Sequence, residues 1–156
     1  MTTTRHVISV EPSGWHQLLL LAGYLLVAAL EKAGLSYKDI TPVYLPPADA
    51  RAAFQRGAID AWVIWDPYLA EVETNAKARQ IRNAEGLVPH YTFYLASRKF
   101  AENHPDTAKQ VVDELRQLSD WANAHQDDAA GILSTSTGLD KAIWLKALAR
   151  LPYGAE

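Results

Sequence analysis

The sequence predicts an α/β fold: a mostly parallel sheet with crossover helices, followed by a section made of helices alone. Two observations carry that reading. Over residues 5–91, short apolar runs alternate with helical segments, the pattern of strand, crossover and parallel strand. Beyond Pro105 the apolar positions recur only at helical spacing. The expected division is an α/β section over 5–91, then a strand and helices over 92–156.

Each element has its own signal. "HVISV" reads as a short strand and "PSG" breaks it. Ser13 can cap the helix that follows, which runs to about Ala33 with Gly34 as its stop signal. "DITPVYL" is a second strand, halted by Pro46 and Pro47, and "PADARAAFQRG" is a short helix ended by Gly57. "AIDAWVIW" is a near-continuous apolar run, expected to be a central strand buried on both faces. Asp66 then caps a helix starting at Pro67, where a missing N–H costs nothing, and continuing to about Asn75. "RQIRN" and "HYTFYLAS" read as further strands. Val111, Val112, Leu115, Leu118 and Trp121 mark an amphipathic helix, and "DDAAGILSTSTG" and "DKAIWLKALARL" two more.

Between Pro12 and Leu30 the chain has no Asp, Glu, Lys or Arg, and "LLLLAGYLLVAAL" is apolar throughout. That run is too short for a membrane span. Two readings remain. A signal peptide fits the small residues of "VAA", but Glu11, a long leader and Arg5 as sole fixed positive charge argue against it. A buried helix closed by "EKAG" fits better.

Composition narrows the function. The chain has 156 residues, a formal net charge of -3 and 49% hydrophobic content, enough for a buried core and no electrostatic footprint for nucleic acid. The absence of cysteine excludes disulfides, thiolate catalysis and zinc-thiolate sites. His6, His16, His90, His104 and His125 form no pair at helical ligand spacing, so neither a metal nor a cofactor is expected.

The most informative stretch is "RGAIDAWVIWDPY", Arg56 to Tyr68. It carries two indoles along one strand and ends on a carboxylate and a proline. In open α/β sheets, ligands lie beyond the carboxyl ends of the strands, where Trp65, Asp66 and Tyr68 fall. Trp65 can cover an alkyl chain or fill the core. Asp66 can cap its helix, worth about 1 kcal/mol, or accept a hydrogen bond from a ligand. Tyr68 can donate its hydroxyl. Trp62 lies an odd number of residues from Trp65, so strand alternation sends it to the opposite face as a core residue.

These residues also carry a resemblance. "YLLVAALEKAGLSYKDITPVYLPPADARAAFQRGAIDAWVIWDPYLAE" resembles the substrate-binding proteins of aliphatic sulfonate ABC transporters, in the wider group of taurine and nitrate binders. The likeness extends from Tyr24 to Gly154 and is most specific in "GAIDAWVIWDPY". It implies a type II periplasmic binding protein fold, in which 5–91 is the second lobe and the C-terminal helices belong to the first. It implies no catalysis: an alkanesulfonate or taurine-like ligand is trapped between lobes and presented to a permease and its ATPase.

The family has a Gly-Ser-Ser-Ala-His type turn after the first strand of this lobe, where hydroxyls and free N–H groups cradle the sulfonate. "VISVEPSGWHQLL" lies over that turn, so Ser13 and His16 match a serine and the histidine, giving a candidate site of Ser13, His16, Trp65, Asp66 and Tyr68. Glu11-Pro12 replaces a Lys-Gly type pair and Gly14 replaces a serine, which weakens the cradle. "QLLLLAG" followed by "YLLVAAL" is an extra seven-residue segment, read as two added helical turns or as a different start or frame. The resemblance implies a periplasmic protein; without a convincing leader the chain as it stands is expected in the cytoplasm.

Three functions are weighed. One is a solute-binding protein in truncated form. Another is an enzyme on the same scaffold, the pyrimidine synthases of thiamine biosynthesis, whose cysteine-rich motif is missing here. The third is a remnant that binds nothing and self-associates through exposed C-terminal helices.

Overall fold

The computed structural model describes residues 6–9, 16–89 and 93–150, with side chains from Ala22 onward. The chain divides into two compact units, Met1–Tyr91 and Thr92–Glu156.

The first unit is built on a three-stranded sheet of β1 (His6–Ser9), β2 (Thr41–Tyr44) and β3 (Ala61–Val63), in the order β2-β1-β3. Both pairings are parallel. Ser9 stands opposite Tyr44 on one side and Val63 on the other. Helices α1 (His16–Lys32) and α2 (Pro47–Gln55) are the crossovers, and α3 (Tyr68–Asn75) follows β3.

Strand alternation sorts the packing. Ala61 and Val63, with Ile40, pack against Leu26 and Leu30 of α1. Trp62 and Ile64, with Val43, pack against Ala50 and Ala53 of α2 and against Ile59. The two helices therefore cover opposite faces of the sheet. The apolar 16–32 stretch is this α1, and no helix among the described residues is long and apolar enough to cross a membrane. It ends at Gly34, whose φ of 73° lies in the left-handed region that favours glycine.

Three expected features are corrected. Among the described residues β3 is an end strand rather than a central one, and its residues are half-buried rather than buried on both faces. The centre of the described sheet is β1. Pro42 shows why β2 is the other edge: a strand with one partner tolerates a missing N–H. Residues 79–83 form no strand. Of the expected return strand, 90–92 lie outside the described residues and 93–97 are irregular.

At the β2 edge the hydroxyls of Tyr37 and Tyr44 are 2.7 Å apart. Burial, then the hydrogen bond and charge of Tyr44, push the Tyr37 phenol up to about 12 from its ordinary 10.0. Its contribution to stability is therefore intact below pH 10 and fades as pH rises towards 12. A phenolate absorbance titration should find one tyrosine ionising late. Tyr44→Phe should return it towards the ordinary range, and an unchanged late step would assign that step to another residue.

The second unit is helical: α4 (Arg98–Asn103), α5 (Pro105–Ala124), α6 (Gln126–Thr137) and α7 (Lys141–Leu148). Helix α4 was not anticipated; Ser97 Oγ caps it by accepting from Phe100 N–H. Ala122, Ala129, Ala130 and Leu148 form the core, with Leu133, Trp144 and Leu145 packed around them. Gly138, at φ 76°, turns the chain from α6 towards α7. On α5, Val112 and Leu115 are half-buried, whereas Val111, Leu118 and Trp121 of the expected stripe are exposed.

Candidate functional site at the carboxyl ends of β1 and β3

The order β2-β1-β3 has a consequence for ligand binding. The chain leaves β1 and crosses one face through α1 to β2. From β2 it crosses the other face through α2 and emerges at β3. Adjacent strands β1 and β3 thus send their following segments to different sides. Such a switch point opens a crevice beyond the carboxyl ends of the two strands.

The segment leaving β3 carries aromatic side chains just beyond the strand's carboxyl end. Trp65, Asp66 and Tyr68 are all half-buried. The Trp65 and Tyr68 rings meet edge to face, with centroids 6.3 Å apart and planes at 77°, a favoured arrangement of aromatic quadrupoles. Trp65 also rests on the Ala50, Ala53 and Ile59 cluster. This corrects the expectation that Trp62 and Trp65 point to opposite faces. β3 ends at Val63, so alternation stops before Trp65, and both indoles pack on the same cluster. Trp62 is a core residue, tilted at 42° to Phe54 with centroids 6.2 Å apart.

Asp66 acts as a cap. Its Oδ1 accepts from Ala70 N–H at 3.0 Å. The helix begins at Tyr68, one residue later than expected, with Pro67 at the cap position. Leu69 N–H donates to the Trp65 carbonyl at 3.1 Å, and Glu71 N–H to the Pro67 carbonyl at 3.0 Å. The N–H groups of Leu69, Ala70 and Glu71 are therefore engaged within the turn, so the start of α3 has little left for an anion.

On the β1 side, the chain passes from Ser9 to α1, whose first residue is His16. The His16 backbone lies at a helix start next to the switch point, while Ser13 falls outside the described residues. The structure thus brings Trp65 and Tyr68 together and places Asp66 on its own helix. It sets the start of α1 after the strand adjacent to β3.

One feature of this region went unread in the sequence. Glu71, in the first turn of α3, is buried, and Arg51 of α2 donates to it through Nη1. A carboxylate one turn into a helix looks like an ordinary dipole partner, and only the tertiary fold brings Arg51 to it. Among the described residues there is no cluster of side chains suited to a metal ion.

Comparison with known proteins places this geometry in a family. A crystal structure of the periplasmic aliphatic sulphonate binding protein SsuA from Escherichia coli superposes with a TM-score of 0.81 at 32% identity, over 96% of this chain and 46% of that one. The alkanesulfonate-binding protein SsuA from Xanthomonas axonopodis pv. citri, bound to MOPS, matches with a TM-score of 0.78 at 34% identity, over 96% of this chain and 49% of that one. In sequence, a protein of Escherichia coli (strain K12) named "Putative aliphatic sulfonates-binding protein" is 37% identical over 115 residues, 74% of this chain and 36% of that protein. The chain thus spans about a third to a half of the length of these relatives. They are binding proteins, not enzymes. The model of the NMT1-like family matches residues 11–135, most of the chain, and the chain belongs to that family.

Proposed function

We propose that the chain is part of a two-lobed solute-binding component of an ABC importer that takes up alkanesulfonates for sulfur acquisition. In this reading 5–91 is the second lobe, and 92–156 contributes to the first. The observation that supports it is the edge-to-face pair of Trp65 and Tyr68 on the segment that leaves β3, next to the β1/β3 switch point. The names of the relatives supply the ligand class.

The two sides of the crevice take different parts of the ligand. A sulfonate is a strong anion and a weak base, so it needs N–H and O–H donors rather than a proton acceptor. The start of α1, with Ser13 and His16, suits that head group. The start of α3 does not, because Asp66 is acidic and the neighbouring N–H groups are engaged. Trp65 and Tyr68 suit the alkyl end, and Asp66 suits a terminal amine or hydroxyl such as taurine carries. The protein would act in the periplasm and present its ligand to a permease.

A second reading is favoured by a different observation. Val111, Leu118 and Trp121 lie along one face of α5 and are exposed at 49%, 59% and 37%. An apolar stripe of this kind promotes self-association, and in this reading the chain self-associates and binds no ligand.

Calorimetric titration of the 156-residue chain with ethanesulfonate, taurine and propionate separates the readings. Saturable heat with the sulfonates and none with the carboxylate is the expected result. Silence with all three, together with dimers or larger species in sedimentation, would favour the second reading.

A further inference from the structure

We propose that the Arg51–Glu71 ion pair is a positioning device that sets the Trp65–Tyr68 wall in place. The proposal rests on the reading of that wall as ligand-facing, and it concerns residues that do not themselves touch ligand.

Glu71 is 7% exposed, and Ser119 is the other buried polar residue among those described. Ser119 is satisfied locally, its hydroxyl donating to the Leu115 carbonyl at 2.8 Å. Glu71 is satisfied across the fold. Its partner Arg51 lies on α2, which follows β2, whereas Glu71 lies on α3, which follows β3. The pair joins helices that leave different strands at the same end of the sheet.

Stability alone is a weak explanation for such a pair. Glu71 is buried but the Arg51 side chain is 43% exposed, and an ion pair so open to solvent adds little net stability. Apolar packing is non-directional, so helices held only by it can slide. A charge-assisted bond from a guanidinium has direction and fixes a register. Glu71 lies three residues after Tyr68, on the same face of α3. The bonds of Leu69, Ala70 and Glu71 back to residues 65–67 make the Trp65 turn one body with the helix. Wherever Arg51 holds Glu71, the two rings follow. Trp65 rests on the α2 cluster, so a shift of α3 along α2 would move the indole across it.

The test uses the full chain labelled with fluorotryptophan, its Trp65 fluorine resonance assigned with Trp65→Phe. The double variant Arg51→Met/Glu71→Met should unfold near the wild-type denaturant midpoint. Its Trp65 resonance should nevertheless shift or broaden while Trp144, in the other unit, stays put. Its dissociation constant for ethanesulfonate should rise about tenfold, the cost of lost preorganisation. If the double variant fails to fold, Arg51→Lys carries the test: it keeps the charge, loses the fork, and should move the Trp65 resonance in the same direction. A Trp65 resonance of wild-type position and width in the folded variant would overturn the proposal. Wild-type protein that binds no sulfonate would count against the ligand reading alone, because the fluorine spectrum of the free protein still decides this one.

Discussion

Trp65→Ala is expected to weaken alkanesulfonate binding by about 30-fold, the loss that follows when an aromatic anchor worth ~2 kcal/mol is truncated. The indole is half-buried, supported from below by the α2 cluster and at its edge by Tyr68. Removing it takes away a preformed apolar surface, and the ligand's alkyl chain then stays in water. A homologous series makes the effect diagnostic. Each added methylene buried against the wild-type wall should tighten binding by roughly fourfold, from about 0.8 kcal/mol per buried CH₂. In Trp65→Ala that increment should shrink, and in Trp65→Phe most of it should survive. Because Trp65 also packs on the core cluster, each variant's thermal unfolding is measured beside its affinity. A Trp65→Ala protein that stays folded and keeps both affinity and methylene increment would remove Trp65 from the site.

Ile143→Ala is expected to bring the largest loss of stability, by about 2–5 kcal/mol in the helical unit. Ile143 is 3% exposed on α7, the helix that closes against α6. A unit this small has a small net stability, so the loss approaches the whole of it. Fluorescence of Trp144, one residue away, should report a collapsed denaturant midpoint. Ile132→Ala on the neighbouring helix is the matched control. That side chain is 60% exposed, and its removal should change stability by no more than about 0.5 kcal/mol. Equal effects of the two substitutions would mean that Ile143 is not buried as described.

Local signals in the sequence were enough for most elements of this fold. Alternation of strands and helices predicted a parallel sheet, Gly34 and Gly57 marked helix ends, and the Asp-Pro pair marked the start of α3. The misreadings share a cause, which is that the number of partners a strand has is a tertiary property. The run "AIDAWVIW" is as apolar as a central strand, yet it lies at the end of the described sheet with its indoles on the α2 layer. Pro42 carried a clue that went unused, because a proline within a strand points to an edge and so leaves β1 as the centre. The placement of Trp65 and Tyr68 just beyond β3 was legible because large aromatics at a strand's carboxyl end are conspicuous. The engaged N–H groups of α3 and the Arg51–Glu71 pair were not, since both depend on hydrogen-bond geometry that spacing does not encode.

The central claim is that the crevice beyond β1 and β3 is where a sulfonate binds, head group to the start of α1 and alkyl end to Trp65. An amide and indole correlation spectrum of the isotope-labelled chain, recorded through a titration with ethanesulfonate, tests it most directly. The account predicts saturable shifts in two groups of signals, the backbone amides of Ser13 to His16 and the Trp65 indole with the Tyr68 amide. Saturable shifts confined to α5 to α7, or a spectrum unchanged at every sulfonate concentration, would contradict it.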